Sequence, residues 1–348
     1  MFGILRTVLA LQVAISHLVL TGHLIGAYAV FGFYVISGYL MTLIMHEIYG
    51  FDPVGRQRFA LNRVLRLLPP YWIAALTSIL IISFLGEEEV RTFHWIYGIP
   101  KAPVEILANA LMIYPQAVPA FYVPKLISIT WTITVEVTFY LAICFGISRT
   151  LGRVWVWFVL SAIYVPITYA LDLSDAYRYF AILAGSLPFS IGAMIYFLSR
   201  RPKKIKLPTK PLFWLMLVFA WATSIGINSD YWPVPDIWGY VNLTICALLV
   251  YSMAVGGSTT SLSPAADKAI GDYSYPIYLF HQPFWILFSM LLAVDHRVAW
   301  NAATGAAAAL AMAATILASW AVIAAVDRPV HRLREKIKAP APLRHHTH

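Results

Sequence analysis

Three ionisable side chains lie within long apolar runs of the sequence: His17, Glu136 and His281. An ionisable group inside a membrane costs a few kcal/mol, so each is a candidate functional residue. A histidine can act as a general base at neutral pH, and a carboxylate can orient it. We therefore predict His17 as a catalytic base and Glu136 as its partner, with a hydrogen-bonded core histidine and a structural clamp as the alternatives. His281 precedes Pro283, where a helix-stabilising role and a site-lining role both fit.

A small polar segment, Ser37-Gly38-Tyr39, interrupts another apolar run. The Ser37 hydroxyl could stabilise an oxyanion, which predicts it as a third catalytic residue. A glycine lets either a ligand or a second helix approach the backbone closely. We predict Gly38 and Tyr39 as part of a ligand-binding site, and close helix packing is the alternative interpretation.

Three arginines have spacings that suit phosphate binding. Arg6 precedes His17 by eleven residues, so on a helix both project from one face, about 16 Å apart. Arg63 and Arg66 are three residues apart and also share a helical face. Because guanidinium groups bind phosphate bidentately, we predict that these arginines hold an anionic ligand at one membrane surface. Anchoring to anionic lipid headgroups is the alternative for Arg63 and Arg66.

The composition indicates which elements must position these residues. Of the 348 residues, 60% are hydrophobic and only 12% are charged, whereas soluble domains carry about 25% charged residues. A soluble fold, a disordered chain and a disulfide scaffold are therefore excluded. We predict an all-α integral membrane protein, a single domain over 1–348 with about ten transmembrane helices, near 5–25, 28–46, 69–86, 126–148, 154–171, 179–199, 211–228, 238–256, 274–293 and 299–326.

The charges predict an orientation for this bundle. With the N-terminus in the cytoplasm, 20 of the 25 Lys and Arg residues fall on the cytoplasmic side and five on the other. Cytoplasmic loops carry such an excess, so we predict both termini to be cytoplasmic, 87–125 to be an extracytoplasmic loop and 327–348 a cytoplasmic tail. The formal charge of +9 is thereby explained without nucleic-acid binding.

Six segments, in order along the chain, resemble the motifs of acyltransferase family 3, a family of integral-membrane O-acyltransferases. The segments are Arg6 to His17, Phe33 to Leu40, Arg63 to Trp72, Trp131 to Tyr140, Tyr275 to Pro283 and Asp327 to Pro329. Three positions differ from the usual residues of the family: Phe31 stands in place of an Asp, Thr132 in place of a Ser and Asp327 in place of a Glu.

The resemblance implies transfer of an acyl group, commonly acetyl from cytoplasmic acetyl-CoA, to a hydroxyl of an extracytoplasmic or lipid-linked carbohydrate such as O-antigen or exopolysaccharide. It implies a bacterial-type inner (plasma) membrane, with acyl-CoA as co-substrate and no metal. Loop 87–125 is then the candidate for recognising the acceptor. Four residues within the matching segments are candidates for the substrate site: Trp131, Tyr140, Tyr278 and His281.

Two other classes of protein compete with this interpretation. In a secondary transporter or flippase, His17 and Glu136 would be proton-relay sites, but the internal repeat typical of transporters is not seen in the sequence. A receptor or scaffold would leave the arginines and His17 without a role. Direct transfer and an acyl-histidine intermediate both fit the residues.

Overall fold

The computed structural model describes residues 2–19, 24–174, 176–226, 237–294 and 301–338. These residues form helices and no strand, with one isolated bridge between Tyr97 and Lys125. The α-helices are α1 (Gly3–Leu18), α2 (Ile25–Ile44), α3 (Pro53–Leu85), α4 (Glu87–Phe93), α5 (Pro103–Leu111), α6 (Trp131–Cys144), α7 (Leu151–Ala170), α8 (Ala176–Tyr179), α9 (Ser186–Ser199), α10 (Thr209–Gly226), α11 (Ile237–Ala254), α12 (Pro264–Asp272), α13 (Ser274–Leu291), α14 (Ala302–Val322) and α15 (Arg328–Ile337).

Each of the ten predicted apolar runs overlaps one of the longer helices. Within the described ranges, six helical stretches are long and apolar enough to cross a membrane: Ile25–Tyr49, Pro53–Leu85, Leu151–Ala170, Ile182–Ser199, Ile237–Ala254 and Ala302–Ile337. Their outer faces carry large apolar side chains, such as Leu80 (70% exposed), Phe84 (72%) and Leu317 (67%), which lipid would cover. The chain is therefore an all-α, multi-pass membrane protein. Parts of the runs 5–25, 211–228 and 299–326, and residues 339–348 of the predicted tail, lie outside the described residues.

Helix α3 is longer than the sequence predicts. It begins at Pro53, where the Asp52 side chain accepts a hydrogen bond from the first turn, and not near residue 69. Pro69 and Pro70 lie inside it. An interior proline removes a hydrogen bond and crowds the preceding turn, but membrane helices tolerate it. The connection 47–68 is therefore mostly helical.

Loop 87–125, predicted only as a connection, contains regular structure. It forms α4, α5 and a 3₁₀ turn at Pro119–Phe121. Lys125 is fully buried at its base, where its ammonium group donates to the carbonyls of Ala120 (2.7 Å) and Tyr122 and lies 5.1 Å from the Tyr114 ring centre. This burial lowers the pKa of Lys125 to about 7. The lysine thus ties the end of the loop to its 3₁₀ turn.

Close packing of α2 against α9 explains the Ser-Gly segment differently from the prediction. A Cβ atom at Gly38 would overlap the Phe189 carbonyl, and one at Gly192 would overlap the Val35 carbonyl. The neighbouring Tyr39 is buried, and its ring packs edge-on against Phe2. Helix packing, the alternative interpretation, accounts for both residues, since Gly38 and Tyr39 lie in helix contacts and line neither of the first two cavities described below. Their ligand-binding role stays a prediction.

Candidate active site

The three predicted arginines line one cavity, of about 90 Å³, at the meeting of α1, α2, α3, α6 and α13. The N-terminus of α1 is held there by α12, because the Asp267 carboxylate accepts from the backbone N–H groups of Gly3 and Ile4 (both 3.0 Å). This capping places Arg6 beside the arginines of α3. We call this space the arginine-lined cavity; Ser37, Glu136, Tyr140 and Tyr275 also line it.

The arginine-lined cavity carries more positive than negative charge. Arg6 donates to the Ser274 hydroxyl (2.9 Å) and Arg63 donates to the Asn62 side chain (2.9 Å). Across the described ranges, neither these two nor Arg66 forms an ion pair with a carboxylate. Three guanidinium groups therefore face a space that contains one carboxylate, that of Glu136. Such an excess attracts an anionic ligand.

Glu136 has different partners from the one predicted. Its Oε1 accepts from the Ser37 hydroxyl (3.0 Å) and its Oε2 accepts from the Tyr140 hydroxyl (2.9 Å). Among the described residues it makes no hydrogen bond to His17, so the predicted His17–Glu136 pair is wrong. Glu136 bonds Tyr140 because residues four positions apart on a helix share one face. On α6 this face turns toward the arginine-lined cavity, which both residues line.

A second cavity, of about 340 Å³, contains His17 and is bounded by loop 87–125. We call it the histidine-lined cavity. Its loop residues include 93–96, Ala120 and Phe121. The predicted Trp131 lies here, with its ring edge-on to Tyr179 (centroids 5.3 Å apart) and Phe180 (5.1 Å). The sequence analysis missed residues 93–96, because they lie in a connection, where no periodicity relates them to the apolar runs. It also missed Tyr179 and Phe180, because aromatic residues at the start of the predicted run 179–199 look like ordinary residues of a membrane span.

His17 pairs with His281 and not with a carboxylate. Its Nδ1 lies 2.9 Å from His281 Nε2, and the two ring planes differ by only 6°. His281 Nδ1 lies 3.1 Å from the Ile277 carbonyl oxygen of the preceding turn. His281 is fully buried behind His17, so it contacts its own helix and the candidate base at once.

The two cavities meet at one layer of side chains. Val30 from α2, Thr132 from α6 and Tyr278 from α13 line both of them. The Thr132 and Tyr278 hydroxyls are hydrogen-bonded at 2.7 Å. We call these three residues the partition. Each of the three helices lines the arginine-lined cavity on one side of the partition and the histidine-lined cavity on the other.

This architecture defines a multi-pass membrane protein with two polar cavities that are separated by a single layer of side chains. The chain belongs to acyltransferase family 3, whose family model, described as an acyltransferase domain, matches residues 2–324. The resemblance in the sequence motifs is thereby confirmed.

One curated relative is a Bacillus subtilis (strain 168) protein named "Putative peptidoglycan O-acetyltransferase YrhL". It is 22% identical over 296 residues, which cover 77% of this chain and 46% of the relative. The chain thus matches about half the length of that protein. No solved structure matches the chain.

Proposed function

We propose that the chain is a membrane O-acyltransferase that moves an acyl group, in the simplest case acetyl, from cytoplasmic acyl-CoA to a hydroxyl of an extracytoplasmic or lipid-linked carbohydrate. The observation that carries the proposal is the pair of cavities. One cavity presents three guanidinium groups and one carboxylate, and the other presents an imidazole and aromatic rings. The three residues of the partition line both cavities. Membership of the family and the name of the relative support the same reaction class.

The donor binds at the arginine-lined cavity. Its phosphates pair with Arg6, Arg63 and Arg66, and its pantetheine arm extends along α1 toward His17, about 16 Å from Arg6. Glu136 accepts one hydroxyl hydrogen bond on each oxygen, so each oxygen keeps a lone pair for an amide N–H of the arm. In this arrangement Ser37 orients Glu136, which replaces the predicted role in an oxyanion hole.

The acceptor binds in the histidine-lined cavity. The rings of Trp131, Tyr179 and Phe180 offer apolar faces to a sugar ring. His17 removes the proton of the acceptor hydroxyl as its oxygen attacks the thioester carbonyl carbon. The tetrahedral intermediate then breaks its C–S bond, and the departing thiolate takes the proton from the His17 imidazolium, which restores the neutral base. The products are the ester and free CoA.

The proposal includes ten spans with both termini in the cytoplasm. The 20 Lys and Arg residues on that side support this orientation. It can be tested by labelling intact cells with a membrane-impermeant maleimide, since both native cysteines, Cys144 and Cys246, are buried. Glu88→Cys should be labelled in intact cells, whereas Lys204→Cys should require permeabilised cells. The reverse pattern would invert the topology.

The reaction itself is tested with the purified chain in nanodiscs, labelled acetyl-CoA and a panel of bacterial glycans that includes peptidoglycan fragments. We expect an alkali-labile ester on one glycan and free CoA in equal amount. Movement of a glycan across vesicles without ester formation would instead support the transporter alternative. Free CoA without an acylated glycan would indicate hydrolysis and contradict the proposed transfer.

A further inference from the structure

A third cavity, of about 540 Å³, adjoins the arginine-lined cavity and shares Arg6, Arg66 and Tyr275 with it. We call it the basic vestibule. Residues of α12, α15 and the start of α1 line it. Helix α15 has no buried residue, so packing in an apolar core does not account for its position. Because Arg6 and Arg66 line both cavities, one ligand bound to these two side chains would lie next to both spaces.

The basic vestibule has a large excess of positive charge. Six cations and two carboxylates line it, and Lys268 pairs with one of the two, Asp272, at 2.9 Å. The arginines that line the basic vestibule form no ion pair with any carboxylate in the described part of the chain. Arg334 donates from both Nε and Nη2 to the Asn62 side-chain oxygen (3.2 Å each). This amide holds the guanidinium in place without neutralising it.

We propose that the basic vestibule binds the nucleotide end of the donor, a 3′-phosphorylated adenosine diphosphate, with Arg332 and Arg334 on the 3′-phosphate. The proposal rests on the proposed function, which supplies a donor that reaches the arginine-lined cavity. Arg6 and Arg66 then lie where the pyrophosphate joins the pantetheine arm. Arginine suits this ligand because its planar fork bonds phosphate oxygens bidentately.

The test compares the binding of CoA and 3′-dephospho-CoA to the chain in phosphatidylcholine nanodiscs. We expect CoA to bind about tenfold more tightly, the effect of one lost charge-assisted contact. Arg334→Gln should bring the two affinities within about twofold. Lys336→Gln is the matched control, because Lys336 lies on the same helix, is exposed and does not line the vestibule. If Arg334→Gln does not fold, Arg332→Gln replaces it as the test variant, because Arg332 is exposed.

Equal wild-type affinities for the two nucleotides would overturn the assignment, and so would a CoA preference that neither arginine substitution reduces. Loss of the preference in nanodiscs with anionic lipid would show that the vestibule is a headgroup site. A CoA preference without any ester product in the transfer assay would uphold the vestibule and refute the proposed function, so the two failures are distinguishable.

A separate observation, the chain of hydrogen bonds from Ile277 to His17, fixes the protonation pattern of the candidate base. The Ile277 carbonyl can only accept, so His281 Nδ1 carries its hydrogen. Neutral His281 then has an unprotonated Nε2, which can only accept from His17 Nδ1. His17 in turn has its lone pair on Nε2, which makes no hydrogen bond within the described residues.

We infer that His281 is a positioning residue, which fixes His17 in the Nδ1–H tautomer so that Nε2 is free to take the acceptor proton. This inference also rests on the proposed function. His281 thereby has the role that the sequence predicted for Glu136, which is to orient His17, and it does so with a neutral imidazole instead of a carboxylate. Loss of the correct tautomer is costly to catalysis even when geometry is kept.

The tautomer is read directly by ¹⁵N NMR of histidine-labelled protein, with His17 assigned by substitution. We expect protonated Nδ1 in the wild type and a mixture of tautomers in His281→Leu. This variant should lower kcat at least about 100-fold with little change in the donor KM. His281→Gln, which keeps an acceptor, should recover part of the activity. A wild-type His17 with protonated Nε2, or an unchanged tautomer in an inactive His281→Leu, would refute the positioning role.

Discussion

The Tyr278 hydroxyl lies 2.7 Å from Thr132 Oγ1, and this hydrogen bond lies within the layer between the arginine-lined cavity and the histidine-lined cavity. Among the described residues, these two and Val30 are the ones that line both cavities. In the proposed function, donor and acceptor therefore meet at this layer.

Substitution at Thr132 should separate donor binding from transfer. Thr132→Leu fills the partition with a larger apolar side chain, so we expect transfer to fall at least about 100-fold while CoA binding stays within about threefold, since positioning errors of about 1 Å carry losses of that size. Thr132→Ser keeps the hydroxyl and is the matched control, with activity near wild type. Full transfer by Thr132→Leu in the nanodisc assay would show that the reactants meet elsewhere.

Loss of His17 should remove the general base. We expect His17→Gln to lower kcat by about 100- to 10,000-fold with the donor KM nearly unchanged. His46→Gln is the control, because His46 bonds the Ser148 carbonyl (2.9 Å) and lines neither cavity. Steady-state rates of ester formation measure both variants. Wild-type turnover by His17→Gln would remove His17 from the mechanism.

Removal of the α3 arginines should act on the donor. Arg63→Gln with Arg66→Gln deletes two guanidinium groups that have no carboxylate partner, so we expect the KM for acyl-CoA to rise about 10- to 100-fold and that for the glycan to stay constant. Arg58→Gln, exposed on the same helix, should leave both constants unchanged. If the double variant kept its donor KM, lipid anchoring would account for these arginines.

A methyl group at Gly38 should weaken the bundle without any direct effect on ligands. The added Cβ meets the Phe189 carbonyl, and such overpacking costs about 1–3 kcal/mol. We expect Gly38→Ala to lower the thermal unfolding midpoint in detergent. Gly152→Ala has open space around the new atom and should not lower it. A Gly38→Ala protein of wild-type stability with weakened CoA binding would instead support the ligand-binding role of Gly38.

The buried Lys125 predicts a pH dependence of stability. Burial lowers its pKa to about 7, whereas an unfolded lysine has a pKa of about 10.4. Between these values the unfolded chain holds the additional proton, so stability rises with pH, by at most about 1.4 kcal/mol per pH unit. Below pH 7 the lysine is charged in both the folded and the unfolded chain, so the full free-energy cost of burying its ammonium group lowers the stability.

The measurement is the unfolding midpoint in detergent from pH 7 to pH 9.5. Lys125→Met should flatten the rise, and Lys336→Met, at an exposed position, should leave it intact. An equal slope in the wild type and in Lys125→Met would assign the pH dependence to other groups.

The separation of polar residues along one helix could be predicted from the sequence, but most of their partners could not. The rise of a helix places Arg6 and His17 at different levels whatever surrounds them. Partners depend on how helices lie beside one another, and that arrangement is set by contacts such as that of Gly38 with the Phe189 carbonyl, which no spacing rule reveals. For this reason Glu136 was predicted to pair with His17 and is instead bonded to Ser37 and Tyr140.

The partition has a further consequence, for the energetics of the cell. In the proposed function, the donor enters from one side of the membrane and the acceptor from the other, so a continuous path between the two cavities would conduct protons and dissipate the electrochemical gradient. Val30, Thr132 and Tyr278 are all buried, and the hydroxyls of the last two bond each other. In the proposed orientation, the three side chains that line both cavities therefore also form the seal against ion leakage.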